Sequence, residues 1–147
     1  MYTGLLHTHN LFRWLVLAVA LLAIVLAFSG WFGKRNWKKI DNISGLLLTM
    51  FVDIQLVIGL ILYAFVSPIT RSAFADFGAA MKNEVLRFYA IEHFVMMLIA
   101  LILVHIGRSK SKKAVVVNKK HRSAAIFYTI ALVIILAGIP WDRALFF

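Results

Sequence analysis

No cysteine occurs anywhere in the chain. Disulfides, iron–sulfur clusters, thiolate zinc sites and c-type haem attachment are therefore excluded, which leaves His, Met, Asp and Glu as ligands. Proline is almost as scarce. Pro68 and Pro140 are the two, and both sit where an apolar segment ends. No apolar segment is broken internally by proline, and no inverted repeat is visible, which argues against the broken-helix architecture of many transporters. Acidic residues are few as well, six against sixteen Lys and Arg, for a net charge of +10.

What is abundant is apolar surface. Hydrophobic residues make up 63% of 147 positions and the mean hydropathy is +0.89, where a soluble domain is closer to half apolar. The composition points to an integral membrane protein, and the length to one domain. The positive charge lies in the loops between apolar stretches. It therefore reads as membrane topology and attraction to anionic headgroups of the lipid bilayer, with no nucleic acid as partner. The N-terminus MYTGLLHTHN has neither a basic n-region nor a following A-x-A-like site, so the first span is expected to be retained.

Four spans are expected, at about 5–32, 43–66, 82–107 and 123–139, each near the roughly 20 residues needed to cross the hydrocarbon core. Asn42-Ile43-Ser44 is a candidate N-cap for span 2, and Ser67-Pro68 a stop. The segment Ile69 to Met81 reads as a short surface helix. The predicted fold class is all-α, an up-down-up-down four-helix bundle. The loops after spans 1 and 3 hold eleven of the sixteen basic residues. The positive-inside rule then places both termini on the outer, periplasmic side of a bacterial inner membrane. Trp31 and Trp37 fall at the inner interface, and Tyr63, Tyr89 and Trp141 at the outer one.

The stretch FYAIEHFVMMLIALILVH, residues 88–105, is the focus. It carries Glu92 and His93 inside a span, where ionisable side chains are costly and usually functional. His7, His9 and Arg13 stand near the outer end of span 1, and Asp53 and Gln55 near the middle of span 2. His93 has two readings. One is an axial ligand to haem b, opposite a span 1 histidine. The other is a packing histidine bonded to a backbone carbonyl or to Asp53. Counting 1.5 Å per residue puts His93 roughly 22 Å above Arg108 and His9 roughly 33 Å above Trp31, a mismatch that counts against the pair.

His7 and His9 are two ligands for copper or zinc, too few alone. Arg13 and Glu92 are expected to form an interspan salt bridge. In a functional version Arg13 balances a haem propionate or holds a quinone carbonyl, and Glu92 accepts a proton. Asp53 reads as a proton relay or as a carboxyl bonded to a neighbouring helix; with Glu92 and Gln55 it makes a polar network. Gln55 and Gly59 share a face, and Gly59 allows close helix approach. His105 reads as an interface residue and His121 as a solvated loop residue.

The segments HTHNLFRWLVL, FSGWFGK, IQLVIGLILYAFVSP and EHFVMMLIALILVHIGRSKSKKA together resemble a family of small four-span Bacteroidota membrane proteins loosely labelled cytochrome b-like. The resemblance covers most of the chain and implies a haem b membrane protein. His9 and His93 are the matching positions, with His7 as a substitute. The chain departs from the family at Asp53, where members tend to carry a histidine. The functional expectation is a b-type haem protein for electron transfer, or an anchor subunit of a larger respiratory complex, without catalysis of its own. The alternatives are a cofactor-free accessory subunit of a membrane complex and a small proton- or solute-handling protein using Asp53, Glu92 and His93.

Overall fold

The computed structural model describes residues 1–143, and all regular structure within them is helical. Four helices are long and apolar enough to cross a membrane: Tyr2–Phe32, Lys39–Val66, Glu84–Lys113 and Val117–Gly138. The first is α1 (Tyr2–Phe32). The second comprises α2 (Lys39–Ile61) and a π turn, Leu62–Val66. Two short helices follow, α3 (Pro68–Ala75) and α4 (Phe77–Ala80). The third long helix comprises α5 (Glu84–Arg87), a second π turn, Phe88–Glu92, and α6 (His93–Lys113). The fourth is α7 (Val117–Gly138).

The helices run past the expected ends because basic side chains extend from the backbone without breaking it. α6 continues through Lys110, Lys112 and Lys113, and α7 begins at Val117 rather than 123. α2 starts at Lys39, ahead of the expected Asn42–Ser44 cap. Its opening is closed by Asp41, whose Oδ2 accepts from the Lys38 amide at 2.7 Å. Asn42 instead accepts from Arg108 Nη1 at 2.8 Å. The expected surface helix at 69–81 is two helices. Ser67 caps α3 with Pro68 at its first position, and Asp76 breaks the run and caps α4 with a bond to the Ala79 amide.

Neighbouring long helices are antiparallel around the bundle, in the order α1, α2, α6, α7. Gln55 of α2 meets His9 of α1, while Asp41 meets Arg35 just past the far end of α1. Gly107 of α6 packs on Phe127 and Tyr128 of α7, and Gly138 on Met96 and Met97. The shared core is made of small groups. Seven of the fifteen buried residues of the main cluster are alanine: Ala20, Ala23, Ala27, Ala100, Ala124, Ala125 and Ala131. Outside are Leu21, Val25, Val57 and Val133, each more than half exposed. Small residues inside and large aliphatics outside suit helices that approach closely while facing lipid.

The end of the bundle that carries the two inter-helix loops is locked by polar contacts. Arg35 reaches both Asp41 carboxylate oxygens at 2.8 Å and the Leu26 carbonyl at 3.0 Å. Its guanidinium is held above its ordinary pKa by the hydrogen bonds to Asp41. His121, expected in solvent, is fully buried. Its Nε2 donates to the Arg35 carbonyl at 3.0 Å and its ring lies 5.0 Å from that of Trp37. Gly30 makes room for it, since a Cβ there would stand 2.2 Å from the imidazole. The connection 114–116 is so short that His121 is carried into the helix pair rather than left in a loop.

Candidate cofactor site at the open end of the bundle

At the opposite end, where residue 2 and residue 143 come together, the four helices enclose a cavity of about 410 Å³. That size falls within the roughly 300–1,000 Å³ typical of small-molecule and cofactor sites. His7, His9, Asn10 and Arg13 line it from α1, Gln55 and Gly59 from α2, Tyr89, His93 and Met97 from the third long helix, and Ile135 from α7. Pro140 and Arg143 complete the wall beyond α7.

Five of the sequence-expected polar residues, His7, His9, Arg13, Gln55 and His93, are therefore brought together. The rings of His9 and His93 stand 6.4 Å apart, centre to centre, with their planes at 69°. The depth mismatch disappears because the inner reference point was wrong. Arg108 is buried and tied to Asn42, and α6 runs on to Lys113. Counted from the true helix ends, His93 and His9 lie roughly 30 and 35 Å up, nearly level.

Each histidine is held from behind. His93 Nδ1 donates to the Gly138 carbonyl at 2.7 Å, at the last turn of α7. That fixes the tautomer and leaves Nε2 as the lone-pair nitrogen. Phe88 and Tyr89 flank the ring at 5.8 and 6.3 Å. On α1, the His9 carbonyl accepts from Gln55 Nε2 at 3.0 Å. The His9 Cε1–Nδ1 edge lies over Gly59, whose lack of a side chain lets the ring in. Among the described residues, His9 Nδ1 and Gln55 Oε1 are buried without a hydrogen-bond partner, and buried polar atoms are rarely left so.

The two π turns explain the local placement. A π turn holds one more residue than an α turn and often marks a functional site. The turn at 88–92 directly precedes His93. Tyr63, in the other π turn, donates to the Ala90 carbonyl at 2.7 Å and so joins the two irregularities. Tyr63 also stacks on Phe94 at 4.8 Å, and its own carbonyl accepts from Thr70 Oγ1 at 2.7 Å.

Other expectations change. Glu92 does not reach Arg13. It accepts from Arg87 Nε at 2.8 Å, a five-residue separation that the π turn closes and a regular helix would not. Asp53 does not meet His93; it pairs with His105, and neither Asp53 nor Glu92 lines the cavity. Among the described residues no group of three or more His, Asp or Glu is placed to hold a metal ion, so His7 and His9 gain no third ligand of that kind. Tyr63, Tyr89 and Arg143 also line the cavity, although by sequence the two tyrosines read only as interface residues. The Arg143 guanidinium lies 4.6 Å from the centre of the Tyr89 ring.

The comparisons with known proteins add nothing to this geometry: no family model, no curated protein and no solved structure matches the chain.

Proposed function

We propose that this chain is a b-type haem protein of the bacterial inner membrane, in which His9 and His93 would hold the haem iron. The observation that carries the reading is the facing pair of imidazoles at 6.4 Å. A metal takes imidazole nitrogen at about 2 Å, so two rings at this separation would be close enough to hold one metal ion between them. Three further features support it. His93 gives its other ring nitrogen to a backbone carbonyl, the habit of a metal-ligating histidine. Among the described residues, His9 Nδ1 and Gln55 Oε1 are buried beside the cavity without a hydrogen-bond partner. Arg13 and Arg143 bring positive charge to its walls, suited to the carboxylates such a group carries.

Bound there, haem would supply one-electron chemistry. The residues of the chain do the rest. The Gly138 carbonyl aims His93, Gln55 holds the α1 backbone at His9, and Met97, Ile135 and Phe94 keep water from the enclosed end. The side that carries the termini is then periplasmic and the basic loops cytoplasmic. The role is electron passage, on its own or as the anchor subunit of a respiratory complex; quinone is the alternative occupant of the same cavity, held by Arg13 and Gln55.

The test is a visible spectrum of protein produced with ample haem, oxidised and then reduced. A Soret band that sharpens on reduction, at about one haem per chain, is expected. It should be lost in His93→Ala and in His9→Ala and kept in His7→Ala. A colourless preparation overturns the proposal.

A further inference from the structure

Asp53 and His105 meet on the outside of the bundle, away from the cavity. His105 Nε2 lies 2.7 Å from Asp53 Oδ1, across 52 residues of sequence. The side chains are 45% and 50% exposed. Helical spacing sets exposed aliphatic side chains beside them: Met50 and Val57 on α2 and Ile102 on α6. Asp53 stands about 21 Å from the start of α2 and His105 about 12 Å from the end of α6, at a rise of 1.5 Å per residue. Both residues fall within helices long and apolar enough to cross a membrane.

The pair satisfies only half of its own hydrogen-bonding capacity. Among the described residues, His105 Nδ1 and Asp53 Oδ2 make no hydrogen bond. The face therefore presents His105 Nδ1, a ring nitrogen able to donate, beside Asp53 Oδ2, an oxygen able to accept. Lipid tails can answer neither. A second copy of the same face answers both. A two-fold axis beside the pair brings the donor of each chain to the acceptor of the other, the reciprocal contact of an isologous interface. The surrounding aliphatic side chains then pack against their own counterparts, and polar residues of this kind commonly join helices inside membranes.

We propose that the α2–α6 face is the contact surface of a homodimer, with Asp53 and His105 of two copies forming a four-membered hydrogen-bonded ring at its centre. The proposal rests on the membrane reading and not on haem.

The lack of cysteine makes the test direct. Met50→Cys and Ile102→Cys place a thiol on the face and leave the pair intact; Val25→Cys places one on the exposed side of α1. In native membranes treated with copper–phenanthroline, the first two should give disulfide-linked dimers and Val25→Cys should not. The unmodified protein in nanodiscs assembled with excess lipid should show two chains per disc by light scattering. Asp53→Leu/His105→Leu, checked for helical content and a cooperative thermal transition, should show one. Monomeric unmodified protein, equal cross-linking at all three positions, or a double variant that stays dimeric would each overturn the proposal. None of these readouts depends on a visible spectrum.

Discussion

The carbonyl of Gly138, on the last turn of α7, accepts a 2.7 Å hydrogen bond from Nδ1 of His93 on α6. The same glycine is the contact point of the two helices: a Cβ there would meet Met97 Cε at 2.6 Å and Met96 Cβ at 3.3 Å. Gly138→Ala should therefore push α7 outward and move the carbonyl off the imidazole. The expected loss is about 1–2 kcal/mol, since the Met97 methyl can give way. Thermal unfolding in detergent measures it, and Met97→Ala in the same chain should recover most of it.

Tyr63→Phe tests the link between the two π turns. It removes the hydrogen bond to the Ala90 carbonyl and keeps the stacking on Phe94. The expected cost is about 1 kcal/mol. The informative readout is local: amide hydrogen exchange should quicken across residues 88–93 and stay unchanged in the middle of α7.

His121→Ala should be among the most damaging single changes outside the cavity. It removes a fully buried ring and its bond to the Arg35 carbonyl, for a loss of roughly 2–4 kcal/mol. Gly30→Ala should come close to it, because the new Cβ would occupy the imidazole's place. Gly4→Ala, with nothing within 4 Å, should be neutral. Melting temperatures of the three variants in one detergent decide the ranking.

Two ion pairs should differ in weight. Asp41 is almost fully buried, caps α2 and accepts two guanidinium bonds from Arg35. Asp41→Ala should cost roughly 2–3 kcal/mol by losing the cap and stranding Arg35. Glu92 and Arg87 are each about two-fifths exposed, and Glu92→Gln should cost less than about 1 kcal/mol. A comparable loss in the two variants would contradict this ordering.

Much of this architecture is legible from residue types alone. Long uninterrupted apolar runs, with proline kept to their ends, indicate four helices and no internal break. The gathering of His7, His9, Arg13 and His93 at one end follows from their positions along alternating spans. What eludes sequence reading is set by geometry that spacing does not encode. Arg108 looks like a membrane boundary and is a buried partner of Asn42; that one misplacement hides the level match of His9 and His93. The Arg13–Glu92 pairing rests on comparable depth alone, and the π turn at 88–92 instead lets Glu92 reach Arg87 on its own helix. His121 sits in a basic run, and only the space above Gly30 reveals that it is interior. Asp53 and His105 are 52 residues apart, and nothing local to either announces the other.

The alanine interior has a consequence for how such a chain can drift. Outward positions such as Leu21, Val25 and Val133 are exposed and can exchange one aliphatic for another with little effect. Ala20, Ala23, Ala27, Ala100, Ala125 and Ala131 are at most 3% exposed, and any growth there would wedge helices apart. Variation should accumulate on the exterior while the interior stays small. Relatives of this chain would therefore be recognised better by the positions that never enlarge than by the oily residues that dominate its composition.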